Sequence, residues 1–80
     1  MSMLADVKNA LGIQGNYLDA TLQIHIDEVT GFLKDAGVED SNISAGIVAR
    51  GVSDVWDYVG GSGKLSEYFI QRATQLSYKR

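Results

Sequence analysis

His25 is the only histidine in the 80-residue chain, and it is the first candidate for acid–base chemistry. A general base needs a partner that orients it and a reacting proton within hydrogen-bond reach. A lone histidine at the edge of an apolar helical stripe is more often a boundary residue than a ligand or base, and His25 reads so. Two carboxylate pairs follow, Asp27-Glu28 and Glu39-Asp40. Adjacent residues on a helix do not face each other, which makes Asp27 and Glu28 a poor dyad. Glu39-Asp40 lacks the alternating oxygen ligands of a calcium-binding loop. Gly60-Gly61-Ser62-Gly63 before Lys64 has the composition of a phosphate cradle. It lacks the Gly-x-x-x-x-Gly-Lys-Ser/Thr spacing and follows a helical pattern instead of a strand, so a flexible link is expected there. The chain has no cysteine and hence neither disulfides nor thiolate ligands. No catalytic residue, cofactor or metal site is expected.

The elements around these residues are all helical. Proline is absent, nine glycines provide the punctuation, and apolar residues recur at three- and four-residue spacings. The pattern predicts a compact all-α, four-helix domain over residues 1–80, with a short first helix and a long second one. Helix one is expected over about 2–11, with Ser2 as N-cap, Leu4, Val7 and Leu11 as its apolar members, and Gly12 just beyond its end. Helix two is expected over about 17–36, with Asn16 as N-cap and Gly37 closing it. Its apolar residues Leu18, Leu22, Ile26, Val29, Leu33 and Ala36 fall within an arc of roughly 80° at a helical period. Ile24 lies nearly opposite the centre of that arc, among Asp27, Lys34 and Gly31. A polar loop is expected over 38–42. Helix three is expected over about 44–59, with Ile47, Val48, Gly51, Val52, Val55 and Val59 inward and Arg50, Ser53, Asp54 and Asp57 outward. Arg50 and Asp54 are four apart and can pair. Gly51 weakens a helix by about 1 kcal/mol relative to Ala, which a close approach of another helix backbone would explain. Trp56 and Tyr58 flank this face. Helix four is expected over about 64–77, with Leu65, Phe69, Ala73 and Leu76 inward and Tyr68 and Arg72 at one edge. Tyr78-Lys79-Arg80 forms a basic tail.

A chain of this size buries only about 60% of its unfolded surface, so its core is marginal alone and gains from neighbours. Net charge is −3 and unevenly spread. Residues 1–40 hold seven acids and two bases, or −5; residues 41–80 hold three acids and five bases, or +2. An acidic front does not suit a nucleic-acid reader. The split does suit head-to-tail contact between copies. No apolar run reaches the roughly 20 residues of a membrane span, and the N-terminus has no secretory-signal pattern, so neither membrane insertion nor secretion is expected.

Two blocks of residues carry a family resemblance. The first is Leu4-x-x-Val7-Lys8-x-x-Leu11-Gly12-Ile13, then Asp19-x-x-Leu22-x-x-x-Ile26, with Gly37 at the close of the second helix. The second is Ala49-Arg50-Gly51-Val52-x-Asp54-Val55-Trp56-x-Tyr58, followed by the helix around Phe69. In this order they resemble the small all-helical head–tail connector (adaptor) proteins of tailed phages, over about residues 4–76. The chain departs from that family in a shorter C-terminus, where the portal-docking tail is found, and in a short loop between helices two and three.

The resemblance implies a non-enzymatic structural protein of the virion neck, assembled in the bacterial host cytoplasm. It implies a ring of copies, typically twelve-fold, beneath the portal protein. Such a ring joins capsid to tail, extends the channel through which DNA passes without specific binding, and docks the next connector or tail-completion protein. On that basis Ile24, Arg50, Trp56 and Tyr58 are expected at neighbour contacts, and Arg72, Lys79 and Arg80 toward the portal. The competing expectation is a small helical regulatory or adaptor protein that binds a protein or DNA partner. Asp54 and Asp57 beside Arg50 argue against a DNA-reading helix three.

Overall fold

The computed structural model describes residues 3–56 and 60–78. The protein is all-α: helices α1 (Met3–Leu11), α2 (Asp19–Asp35), α3 (Ala45–Val55) and α4 (Glu67–Ser77), with a single 3-10 turn, Asp40–Asn42, between α2 and α3. Helix α3 is the hub and packs against each of the other three. The radius of gyration is 12.0 Å, close to the roughly 12 Å of a compact chain of this length.

The helical periodicity explains the core directly. Leu22, Ile26, Val29 and Leu33 of α2 are buried, as are Ile47, Val48, Gly51 and Val52 of α3 and Phe69, Ala73 and Leu76 of α4. Ala49 joins them at 5% exposure. The contribution of α1 is narrower: Val7 is fully buried, while Leu4 and Leu11 pack on the core from its rim. A short helix gains its stability from such docking rather than from its own hydrogen bonds.

Two glycines end their helices for one physical reason. Gly12 (φ 72°) and Gly37 (φ 92°) adopt a left-handed conformation. At each, the next residue's N–H reaches back to an orphan carbonyl: Ile13 to Lys8 and Val38 to Leu33, both at 3.0 Å. This is the paired bonding of a Schellman cap. The second cap corrects the expected polar loop. Val38 is buried at 3%, and Asp40–Asn42 is a 3-10 turn.

Other boundaries also shift. Helix α2 starts at Asp19, two residues later than expected, and its N-cap is Leu18 without a side-chain cap bond. Asn16 instead accepts the Asp19 N–H on its backbone carbonyl, at 3.2 Å. Lys8 fixes this start from α1. Its Nζ donates to the Gly15 carbonyl and lies 2.8 Å from Asp19 Oδ1, an ion pair off the hydrogen-bond line.

Helix α3 ends at Val55, not near 59, because Trp56 turns extended (φ −100°, ψ 109°). Glycines then seal the helix end. The Gly63 N–H donates to the Asp54 carbonyl and the Gly61 N–H to the Trp56 carbonyl, both at 3.1 Å. A Cβ on Gly61 would press on the Ser53 carbonyl and lie 2.6 Å from the Asp54 carbonyl oxygen. The expected flexible link is therefore a fitted cap. Helix α4 starts at Glu67, not 64, because Ser66 is its N-cap: Ser66 Oγ accepts the Phe69 N–H at 3.2 Å. Ser2, Asp57, Tyr58, Val59, Lys79 and Arg80 lie outside the described residues.

Candidate functional site

Gly51 sets how closely the helices meet. A Cβ there would lie 2.6 Å from Val29 Cγ1 and 2.7 Å from Phe69 Cε2. Side chains of α2 and α4, not a helix backbone, occupy the space that glycine leaves. Phe69 is fully buried there, and its ring centre lies 5.8 Å from that of Phe32 on α2. This wedge seats α4 against α3.

Asp54 then locks the start of α4 to the end of α3. Its Oδ2 accepts from the Ser66 hydroxyl at 2.7 Å and from the Ser66 N–H at 3.2 Å. The Ser66 oxygen in turn caps α4, so one carboxylate orders a chain of bonds across the junction. The side chain of Asp54 is only 13% exposed. Carboxylate bonds of this kind are worth more than neutral ones, about 1.5–3 kcal/mol.

The junction opens a groove of about 560 Å³ between the N-terminal part of α3 and the outer side of α4. Arg50, Tyr68 and Arg72 line it, with Ile47 and Leu76 among the apolar residues and no carboxylate among the described lining residues. The Arg50 guanidinium carbon lies 5.0 Å from the Tyr68 ring centre, and Arg50 Nε is 3.6 Å from Asp54 Oδ1. Contacts like these hold a half-exposed arginine in place while adding little stability, about 0.2–1 kcal/mol each. Arg72 Nη1 donates to Gln75 Oε1 at 2.9 Å and has no carboxylate partner among the described residues. The groove thus presents two guanidinium groups beside an exposed phenol ring.

The outward face of α2 has the opposite character. Ile24 is 67% exposed, as its position opposite the buried stripe requires. At helical spacing Asp27, Glu28, Gly31 and Asp35 continue its face, and the three acids are exposed. Gln23 Nε2 donates to Asp27 Oδ1 at 2.8 Å. One base, Lys34, borders this strip beside Asp27 and pairs with Asp40 at 3.4 Å.

The residues expected at contacts distribute as follows. Ile24 stands alone on α2. Arg50 and Arg72, expected at different partners, share one groove. Trp56 corrects its expectation as a neighbour contact: it is buried at 6%, its ring centre 5.1 Å from that of His25. Its surface is spent inside its own chain because the backbone turns extended at that residue and carries the indole inward. Tyr58, Lys79 and Arg80 are outside the described residues. Sequence reasoning placed Tyr68 at an edge beside Arg72 without linking it to Arg50, and it gave Asp54 only the pairing with Arg50. The serine preceding Glu67 was the available signal, since a Ser N-cap marks a helix start.

His25 keeps Nδ1 buried without a hydrogen-bond partner. Among the described residues no group of three or more His, Asp or Glu is placed to hold a metal ion, and no helix is long and apolar enough to cross a membrane. A second recess, about 460 Å³, is lined by Lys8 and Asp19, whose charges already pair with each other. Comparison with family models, curated proteins and solved structures finds no match.

Proposed function

We propose that the protein is a non-enzymatic assembly subunit: a head–tail connector of a tailed phage that forms a ring beneath the portal and joins capsid to tail. The observation that carries this reading is the pair of dissimilar surfaces, an acidic, isoleucine-bearing face on α2 and an arginine-lined groove between α3 and α4. Two different patches on one subunit make heterologous contacts, which close into a ring when the rotation permits. Large apolar side chains in water add to it. Tyr17 is 76% exposed, Ile24 67% and Tyr68 55%, in a chain too small to leave surface unused for stability. The choice of a phage connector among ring-forming proteins rests on the resemblance of the two sequence blocks.

The portal protein is the partner above the ring, and the next connector or tail-completion protein is the partner below. DNA passes through the channel without specific binding, in keeping with a net-negative chain that does not draw phosphates. The test is co-sedimentation with a portal protein from the same source as the chain. The chain is expected to travel with the portal ring as a stable complex. A chain that ignores that portal and every neighbouring connector protein would overturn the reading.

A further inference from the structure

We infer that the two surfaces are the halves of one contact: the acidic face of α2 docks into the α3–α4 groove of a second copy. The inference rests on the ring reading and adds which residues meet. Charge complementarity identifies the occupant. The groove offers Arg50 and Arg72 with no carboxylate among the described residues that line it. The face of α2 offers Asp27, Glu28 and Asp35 against one base, Lys34, which already pairs with Asp40.

Shape agrees with charge. Ile24 is the most exposed aliphatic side chain of the described core helices, at 67%. Such a residue at the centre of a charged face behaves as an anchor once a partner covers it. The groove supplies an apolar floor of Ile47 and Leu76, with the Tyr68 ring at its side. Gly31 follows on the same α2 face, and nothing lies within 4 Å of where its Cβ would be. A partner backbone can therefore come close at that point. In the docked pair Ile24 enters between Tyr68 and the apolar floor, and Asp27 and Glu28 meet the two guanidinium groups. Arg72, which bonds an exposed Gln75 and has no carboxylate partner among the described residues, gains one.

The absence of cysteine makes a clean test available. Gly46→Cys marks the groove, where an added Cβ meets only Ser44 Oγ at 3.8 Å. Ile24→Cys and Gly31→Cys, made separately, mark two points along the α2 face, so that register does not decide the outcome. Each face variant is mixed with the groove variant, carrying tags of different size, and oxidised mildly. Docking raises the effective thiol concentration, so at least one mixture is expected to form the mixed dimer on the order of tenfold faster than either same-variant dimer. Adding Arg50→Glu and Arg72→Glu to the groove variant is expected to abolish that preference, with circular dichroism confirming that the helices persist. Mixed dimers at chance proportion in both mixtures, or a preference that survives charge reversal, would overturn the inference. If co-sedimentation with the portal holds while the preference is absent, the connector reading stands and this contact is wrong. If the preference holds and the portal is ignored, the contact stands and the connector reading fails.

Discussion

The outward face of α2 and the α3–α4 groove differ in how they are built. The face belongs to one helix. Once α2 forms, Ile24, Asp27, Glu28 and Asp35 are placed by the helical period alone. The groove belongs to two helices and to the joint between them. It exists only while Phe69 fills the space beside Gly51 and Asp54 holds Ser66. A local surface survives most damage to the fold, whereas a surface made at a joint is lost with the joint. Variants can separate the two.

Phe69→Ala is the most damaging. Removing a fully buried aromatic costs about 3–5 kcal/mol, a large part of the roughly 4–12 kcal/mol expected for 80 residues. Urea unfolding should show the midpoint falling steeply, with α4 and the groove lost together. Stability close to that of the unaltered chain would mean that Phe69 is not the wedge.

Asp54→Ala comes next, at about 1–3 kcal/mol, because it strips both Ser66 bonds and the Arg50 pairing. Amide exchange should rise most at Ser66 and Phe69, with the α2 amides nearly unchanged. Uniform exchange across both regions would break the distinction between joint and face.

Arg50→Ala should cost only about 0.5–1 kcal/mol, through the lost contacts with Tyr68 and Asp54. Its effect is expected in assembly, as weaker association at low salt and a smaller dependence on salt. Ile24→Asp is the mildest for the fold, within about 0.5 kcal/mol, since the residue is exposed. Thermal unfolding should barely move while association between copies disappears. Association that continues unchanged would remove Ile24 from the contact.

The same difference explains what the sequence disclosed. The four helices, the burial of Leu22, Ile26, Val29 and Leu33 and the exposure of Ile24 follow from periodicity, whereas Ala36, expected on the same stripe, is exposed because α2 ends at Asp35. Gly12 and Gly37 marked their helix ends because only a left-handed residue closes such caps cheaply. The groove was not legible as a unit. Arg50 and Arg72 are 22 positions apart and line one groove only because α3 stops at Val55 and the chain folds back. That stop depends on Gly61 and Gly63 reaching the end of α3, tertiary hydrogen bonds that composition presents as a plain glycine linker. Trp56 was misplaced for the same reason: extending the helical period past Val55 put it on a flank, and the extended backbone turned it inward.

The proposed contact between copies has a consequence that independent portal binding lacks: a ring built by it would fill cooperatively. Native mass measurement of the portal ring with a sub-saturating amount of the chain reads this directly. Two dominant species are expected, bare portal and portal carrying its full complement of copies, with Ile24→Asp reducing this to scattered partial occupancy. Partial occupancies distributed at random for the unaltered chain, or no binding at all, would contradict that expectation.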